Sequence, residues 1–149
     1  MSLAFAGPAA YLTWDHNRVL RLLDEIEIQV HDNHIQQARR AYARVQRDYL
    51  RHLRLEEELV FPVFAARAGL TGGPTVGLRE EHGELRRALE LMDAGLAAAD
   101  AKAFDDGLSY LRAVLPGHRS KEERLLFPTM DSLLSGKERQ AFVDRLQRE

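Results

Sequence analysis

The sequence predicts an all-α fold, an antiparallel up-down-up-down four-helix bundle with a short fifth helix at the C-terminal end. Good helix formers (Leu, Ala, Arg and Glu) dominate long segments that contain few β-branched runs. Glycine and proline, which interrupt helices, cluster at 7–10 and 69–75, with weaker breaks at 31–34 and 135–136. We therefore expect helices at about 8–31, 35–67, 75–99, 102–133 and 137–148.

Each of the four long segments carries one apolar seam whose residues recur at alternating steps of three and four, as expected for the core face of a bundle helix. The first seam is Ala9, Leu12, His16, Val19, Leu23, Ile26 and Val30. The second is Tyr42, Val45, Tyr49, His52, Glu56, Leu59 and Val63. The third is Leu78, His82, Leu85, Leu89, Met92 and Leu96. The fourth is Phe104, Leu108, Leu111, Leu115, His118, Glu122 and Leu125. The polar residues that interrupt the seams are four histidines and two glutamates.

The two halves of the chain repeat each other. The stretch HLRLEEELVFP (52–62) recurs as HRSKEERLLFP (118–128), 66 residues later. The same offset relates His16 to His82. We infer two helical hairpins, each written as His, then His-x-x-x-Glu-Glu, then Phe-Pro.

The hairpin geometry brings the six polar seam residues to one level of the bundle. At about 1.5 Å rise per residue, both histidines of a hairpin lie at a similar distance from its turn. Buried carboxylates cost several kcal/mol unless they are paired or bind a metal, and no Lys or Arg interrupts the seams. Imidazole and carboxylate without sulfur suit iron, manganese or zinc.

This donor set suggests a site for two metal ions. Glu56 and Glu122 can bridge the ions; His16 and His52 would then hold one ion, while His82 and His118 hold the other. Each ion has only four protein donors, so an octahedral iron keeps room for a bridging oxygen species and an exogenous ligand. Open positions are typical of a reactive site rather than a structural one.

At these residues the chain resembles a hemerythrin-like domain of the His-His-Glu cation-binding type, over roughly 10–134. The motifs are Asp15-His16, His52-x-x-x-Glu56-Glu57 before Phe61-Pro62, Glu81-His82, and His118-x-x-x-Glu122-Glu123 before Phe127-Pro128. The resemblance implies a four-helix bundle that holds an oxo- or hydroxo-bridged non-haem di-iron centre. It also implies a function in binding oxygen, in sensing oxygen, redox state or iron, or in reacting with peroxide or nitric oxide.

The chain departs from the oxygen-carrying hemerythrins at two positions. Arg86 stands where they have a second histidine, four residues after the third, and Glu122 replaces an aspartate that lies one residue further along. The resulting ligand set is closer to the bacterial and iron-sensing members of the family. The repair proteins of the family carry a cysteine-bearing domain, and this chain has no cysteine.

Several neighbours of the candidate ligands admit two interpretations. Asp15, Glu57, Glu81 and Glu123 flank the ligands and face about 100° away from them. We expect them on surface or helix-contact faces; the alternative is a hydrogen bond to an imidazole. Tyr49, one turn from His52, is expected to pack in the core; alternatively its phenol hydrogen-bonds to bound oxygen or supplies an electron.

Composition narrows the possible partners and locations. The 149 residues, at net charge −2, predict a single domain over 1–149, with the bundle core at about 8–134. Scattered basic residues argue against a nucleic-acid partner. No apolar run is long enough for a membrane span, and the start lacks the pattern of a secretory signal. We expect a cytoplasmic protein, either a monomer or a weak homodimer.

The leading functional hypothesis is a di-iron domain that binds or reacts with a small oxidant, namely oxygen, peroxide or nitric oxide. Enzymatic reduction of peroxide or oxygen is one version of it. The alternative is an iron or redox sensor, or an iron-binding interaction domain, without turnover. Ferritin-like iron oxidation is disfavoured because those bundles use Glu-x-x-His, and a zinc protease because His-Glu-x-x-His does not occur.

Overall fold

The computed structural model describes residues 4–69 and 73–149, and within these ranges it is helical without strands. The elements are α1 (Pro8–His31), α2 (Ile35–Leu55), a π turn (Glu56–Val60), α3 (Phe61–Ala68), α4 (Pro74–Ala97), α5 (Ala101–Lys121), a second π turn (Glu122–Leu126), α6 (Phe127–Leu133) and α7 (Gly136–Arg148). Helices α2 and α3 together form the second long helix, and α5 and α6 the fourth. The predicted all-α bundle with a short fifth helix is confirmed. The glycine-rich break expected at 69–75 lies partly outside the described residues.

The repeat extends to the backbone. The offset of 66 residues carries the bounds of α1 onto those of α4, and the bounds of α2 onto those of α5. The turns at 32–34 and 98–100 also match, because each contains one non-glycine residue in the left-handed region: Asn33 at φ 62° and Ala99 at φ 52°. Each hairpin is therefore antiparallel and is closed by the same short turn.

The two π turns lie where each Phe-Pro pair follows its glutamate. A proline within a helix lacks the N–H donor, and its ring clashes with the carbonyl four residues before it. Here the helix widens by one residue, so that the Phe61 N–H donates to the Glu56 carbonyl and the Phe127 N–H to the Glu122 carbonyl. Pro62 and Pro128 then occupy the first turn of the next helix, where no internal donor is needed. Both helices therefore continue past the proline.

The extra residue of each π turn shifts the buried stripe, and two seam predictions are wrong for that reason. Leu125 was expected in the core but is 57% exposed, whereas the next residue, Leu126, is buried. Val63 is only half-buried, while Phe64 is buried. Counting steps of three and four assumes an unbroken α-helix, and that assumption fails after residues 56 and 122.

The apolar core forms two clusters. The larger cluster fills the bundle towards the turns at 32–34 and 98–100, around residues such as Tyr42, Phe104 and Leu89. The second lies at the Phe-Pro end, around Phe61 and Phe127. Helix α7 closes this second end with the buried side chain of Leu146. None of the described helices is long and apolar enough to cross a membrane.

Helices α4 and α5 approach each other closely at two glycines. A Cβ at Gly95 would lie 2.5 Å from the Phe104 backbone nitrogen, and one at Gly107 would lie 2.8 Å from the Met92 side chain. The corresponding positions of the first hairpin are Gln29 and Ala41. The helices of the second hairpin therefore approach each other so closely that a side chain at either glycine would push them apart.

Candidate metal centre

Six polar side chains form a buried layer between the two apolar clusters. It consists of the residues singled out from the sequence: His16, His52, Glu56, His82, His118 and Glu122. None is more than 2% exposed. Atoms able to bind a metal on Glu56, His82, His118 and Glu122 lie within 4.8 Å of one another, as do those on His16, His52 and Glu56. The structure therefore brings all six together.

Each glutamate of the buried layer faces imidazoles from both hairpins. Glu56 Oε1 lies 2.8 Å from His52 Nε2 and 3.7 Å from His16 Nε2, while Glu56 Oε2 lies 3.0 Å from His82 Nε2. Glu122 Oε1 lies 3.1 Å from His118 Nε2 and 3.4 Å from His16 Nε2. Both carboxylates are thus positioned between the two pairs of histidines, which is the arrangement that a bridging ligand requires.

Most of the polar atoms that face the centre of the layer lack a well-aligned hydrogen-bond partner. The Nε2 atoms of His16, His82 and His118, Oε2 of Glu56 and both oxygens of Glu122 are buried without an aligned hydrogen bond. Buried polar atoms nearly always have a partner, so several such atoms around one point indicate that a cation belongs there. Neutral imidazoles and carboxylates without sulfur fit a transition metal.

The four outer carboxylates, Asp15, Glu57, Glu81 and Glu123, hydrogen-bond the opposite nitrogen of the imidazoles. Asp15 lies 2.8 Å from His52 Nδ1, and Glu81 lies 3.0 Å from His118 Nδ1. These residues thus lie on helix-contact faces, and the alternative interpretation, a hydrogen bond to an imidazole, holds for them.

The outer carboxylates of the π turns reach the other hairpin. Glu57 is 2.8 Å from His82 Nδ1, and Glu123 is 3.3 Å from His16 Nδ1. Rotation by about 100° from a ligand turns a side chain towards the neighbouring helix rather than towards solvent. The sequence did carry a signal for these residues, since the repeat offset relates Asp15 to Glu81 and Glu57 to Glu123.

A basic side chain supports every outer carboxylate. Arg18 bonds Asp15, and Arg86 binds Glu57 through two hydrogen bonds of 2.7 and 3.0 Å. The other two pairs are Lys121 with Glu81 and Arg119 with Glu123. A hydrogen bond that an imidazole N–H donates to a carboxylate fixes the orientation of a ligating imidazole and increases its basicity. Arg86, which stands at the position of a further histidine in the oxygen carriers, lies outside the buried layer.

Three aromatic rings line the layer. Phe61 packs against His82 with ring centroids 5.4 Å apart, and Phe127 stacks on His16 at 5.9 Å. The phenylalanine of each Phe-Pro pair thus contacts the first histidine of the opposite hairpin. Tyr49 stacks on His52 at 6.1 Å, and its buried hydroxyl has no hydrogen-bond partner. Its repeat mate is Leu115, so this hydroxyl belongs to one half alone.

Burial and mutual charge drive the pKa values of the layer apart. Burial opposes ionisation of Glu56, but His52, His82 and His16 hold its pKa well below the ordinary value. Burial and the charge of Glu56 raise the pKa of Glu122 to about 8.

The two histidines of the first hairpin are also shifted in opposite directions. Burial and the nearby charge of His52 lower the pKa of His16 to about 4. Burial would lower the pKa of His52 as well, but Glu56 and Asp15 raise it to about 10. Protons in this layer therefore compensate the carboxylates, and a bound cation can take over that role.

Comparison with known proteins gives one relative and one family. The relative is a DNA nickase of Nostoc sp. (strain PCC 7120 / SAG 25.82 / UTEX 2576), 28% identical over 124 residues, which are 83% of this chain and 33% of that protein. The chain thus spans about a third of the length of the curated relative that it matches. No solved structure matches the chain. The family model for the hemerythrin HHE cation binding domain matches residues 8–149, and the chain belongs to this family.

Proposed function

We propose that the chain holds two iron ions in the buried layer, joined by an oxo or hydroxo bridge, and that it binds or reacts with oxygen, peroxide or nitric oxide. His16 and His52 would hold one ion and His82 and His118 the other, with Glu56 and Glu122 shared. The observation that carries this proposal is the position of both glutamates between the two histidine pairs.

Iron differs from zinc at this donor set in the coordination positions that it leaves open. Two imidazoles and one oxygen from each shared carboxylate give four protein donors per ion, which would complete a tetrahedral zinc site. An octahedral iron with the same donors keeps positions for a bridging oxygen and an external ligand. Iron in this layer would supply electrons and open coordination positions for a small oxidant.

The chain's own residues would prepare the site for that ligand. Each outer carboxylate would accept a hydrogen bond from the Nδ1–H of its imidazole, so that the Nε2 lone pair is directed into the buried layer. The two apolar clusters exclude bulk water from both sides of the layer. A small apolar or weakly polar ligand suits such surroundings better than a charged substrate does.

Tyr49 is the residue best placed to hydrogen-bond a bound ligand. Burial, together with the charges of Glu56 and Glu122, raises the pKa of Tyr49 well above its ordinary value, so its hydroxyl keeps its proton and can donate it. We expect Tyr49→Phe to weaken azide or nitric oxide binding by about two- to tenfold, as befits one lost hydrogen bond. Leu115→Met, a change at the repeat mate, should leave the affinity near that of the wild type.

The direct test of the function combines metal analysis with absorption spectroscopy. Protein reconstituted anaerobically with Fe(II) should contain two irons per chain. Air or peroxide should then produce an oxo-to-iron charge-transfer band. Tight binding of a single zinc, with no uptake of iron, would refute the proposal.

A sensor without turnover is a second candidate, favoured by the way the outer carboxylates join the hairpins. Glu57 and Glu123 each bind an imidazole of the other hairpin, so metal binding and hairpin docking are linked. A sensor should show a large loss of thermal stability on metal removal, because metal binding stabilises the folded state. It should also consume a negligible amount of peroxide, whereas an enzyme should turn over.

We expect no DNA cleavage by this chain. The match covers only a third of that protein. The basic side chains beside the outer carboxylates, Arg18, Arg86, Arg119 and Lys121, are each engaged in an ion pair. Incubation of the iron-loaded protein with supercoiled plasmid, with and without peroxide, should leave the plasmid intact.

A further inference from the structure

Trp14, the only tryptophan of the chain, lies at the protein surface next to the candidate metal centre. Its side chain is 37% exposed, and it directly precedes Asp15 in α1. The rings of Phe5 and Tyr11 pack beside it, with centroids 5.5 and 6.0 Å away. The indole is therefore held in place by other aromatic rings while one part of it stays in contact with solvent.

A continuous series of contacts joins this indole to a histidine of the buried layer. The Cζ atom of Arg18 lies 5.5 Å from the centroid of the Trp14 ring. Arg18 donates to Asp15 Oδ1 from Nη2 at 2.7 Å and from Nε at 3.1 Å. Asp15 Oδ2 is 2.8 Å from His52 Nδ1. One cation–π contact and two hydrogen-bonded steps thus connect the surface with the imidazole.

In the part of the chain that the structure describes, the basic partners of the other three outer carboxylates do not lie over an aromatic ring. These carboxylates pair with Arg86, Lys121 and Arg119. In the ranges 4–69 and 73–149, the basic groups that lie over aromatic rings are Arg18, above Trp14, and Arg79, above the buried Phe61. The route from His52 is therefore distinguished by ending on an exposed side chain that can be oxidised.

We infer that Trp14 exchanges single electrons between the surface and the metal centre, along Arg18, Asp15 and His52. The inference rests on the proposed di-iron function. Reduction of hydrogen peroxide to two waters breaks the O–O bond and takes two electrons and two protons. When the centre supplies one of these electrons, Trp14 supplies the other, and its indole proton passes to solvent. The two protons that complete the two waters come from solvent. An external reductant such as ascorbate would then return one electron and one proton to the indole radical and a second electron to the centre.

The experiment uses the iron-loaded protein, one equivalent of hydrogen peroxide and electron paramagnetic resonance of freeze-quenched samples. Ring-deuterated tryptophan assigns the radical without ambiguity because the chain has one tryptophan. We expect an organic radical whose hyperfine pattern changes with the label and which is lost in Trp14→Phe. Tyr110→Phe, which removes an oxidisable ring outside this route, should retain it. Zinc-loaded protein treated in the same way should show no radical.

Two further results separate this inference from the proposed function. If the protein takes up no iron, or if peroxide leaves its spectrum unchanged, the proposed function fails. If iron is bound and peroxide is reduced, yet no radical or oxidation product forms on Trp14, the electron-exchange role is refuted while the function stands. Arg18→Lys keeps the charge beside Asp15 but removes the planar group above the indole. It should lower the radical yield, and an unchanged yield would refute the route through Arg18.

Discussion

The two hairpins share one backbone but surround their histidines differently. Asp15 of the first hairpin has a side chain only 2% exposed, whereas its counterpart Glu81 is 19% exposed and pairs with a lysine at the surface. The first hairpin also contributes Tyr49, where the second has Leu115. The repeat therefore retains the candidate ligands, while the groups that contact them have diverged. In such a bundle the two ions can have the same ligands and still differ in reactivity, because the groups around those ligands differ.

The largest expected effect comes from removing one histidine of each hairpin. His52→Ala and His118→Ala should lower iron content to a comparable degree, because each removes one of two imidazoles from an equivalent ion. His52→Ala should also cost more stability than His118→Ala, roughly 3–5 kcal/mol, because it removes the imidazole bound to buried Asp15 and leaves that carboxylate with Arg18 alone. Iron analysis and chemical unfolding check the two parts. Loss of iron in only one variant would contradict the symmetric arrangement.

Replacing an outer carboxylate with a neutral amide should have the next largest effect. Asp15→Asn should weaken metal affinity by about 10–100-fold, the usual cost of removing a carboxylate behind a ligating histidine. Glu81→Gln should have a smaller effect, because water can reach this position and replace part of the interaction. Chelator competition with Co(II) measures both affinities. Equal losses would show that burial of the outer carboxylate does not matter.

Packing between the helices gives a third difference between the hairpins. Gly95→Ala should destabilise the protein by about 1–3 kcal/mol, because its Cβ would clash with the backbone of α5. Gly77→Ala, in the same helix but with no neighbour within 4 Å of the added Cβ, should instead stabilise it by about 0.5–1 kcal/mol. Thermal or urea unfolding of metal-free protein compares them. Similar effects of the two substitutions would rule out close packing as the cause.

The sequence specified the helices and the buried layer well because both depend on strong, repeated patterns. Apolar spacing and the 66-residue offset were sufficient to locate His16, His52, Glu56, His82, His118 and Glu122. Spacing could not show where Asp15 or Glu57 would point, since each binds a histidine on a different helix. The predicted burial of Val63 and Leu125 was wrong for a local reason. Backbone hydrogen bonding changes at the π turns, and this changes the direction in which all later side chains point.

The smallest expected effect is a pH dependence that distinguishes Glu56 from Glu122. Glu122 has its pKa raised to about 8 and His52 to about 10 by folding. Above pH 6.5 the folded metal-free protein therefore binds more protons than the unfolded chain, and its stability should fall as pH rises to 8. The slope should be at most about 1.4 kcal/mol per pH unit for each proton.

Melting curves of metal-free wild type and Glu122→Gln test this difference. The variant cannot release the proton at position 122, so its stability should fall less steeply between pH 6.5 and 8. Glu56→Gln should move the slope to lower pH without abolishing it, because it removes the charge that helps to raise the pKa of Glu122 while burial, the larger cause, remains. Equal slopes for wild type and Glu122→Gln would contradict the assignment.

The π turns also change the relation between the number of residues in a helix and the direction in which its side chains point. Each can be viewed as a one-residue insertion, with α-helix on both sides of it. Deleting a residue between Glu56 and Phe61 would restore α-helical winding but would turn Phe61 by about 100°, away from its contact with His82. It would also bring the Pro62 ring back against a carbonyl one turn earlier. The angular positions of the side chains around the helix are therefore shifted at two places in this bundle. Each shift lies directly after a glutamate that faces both histidine pairs.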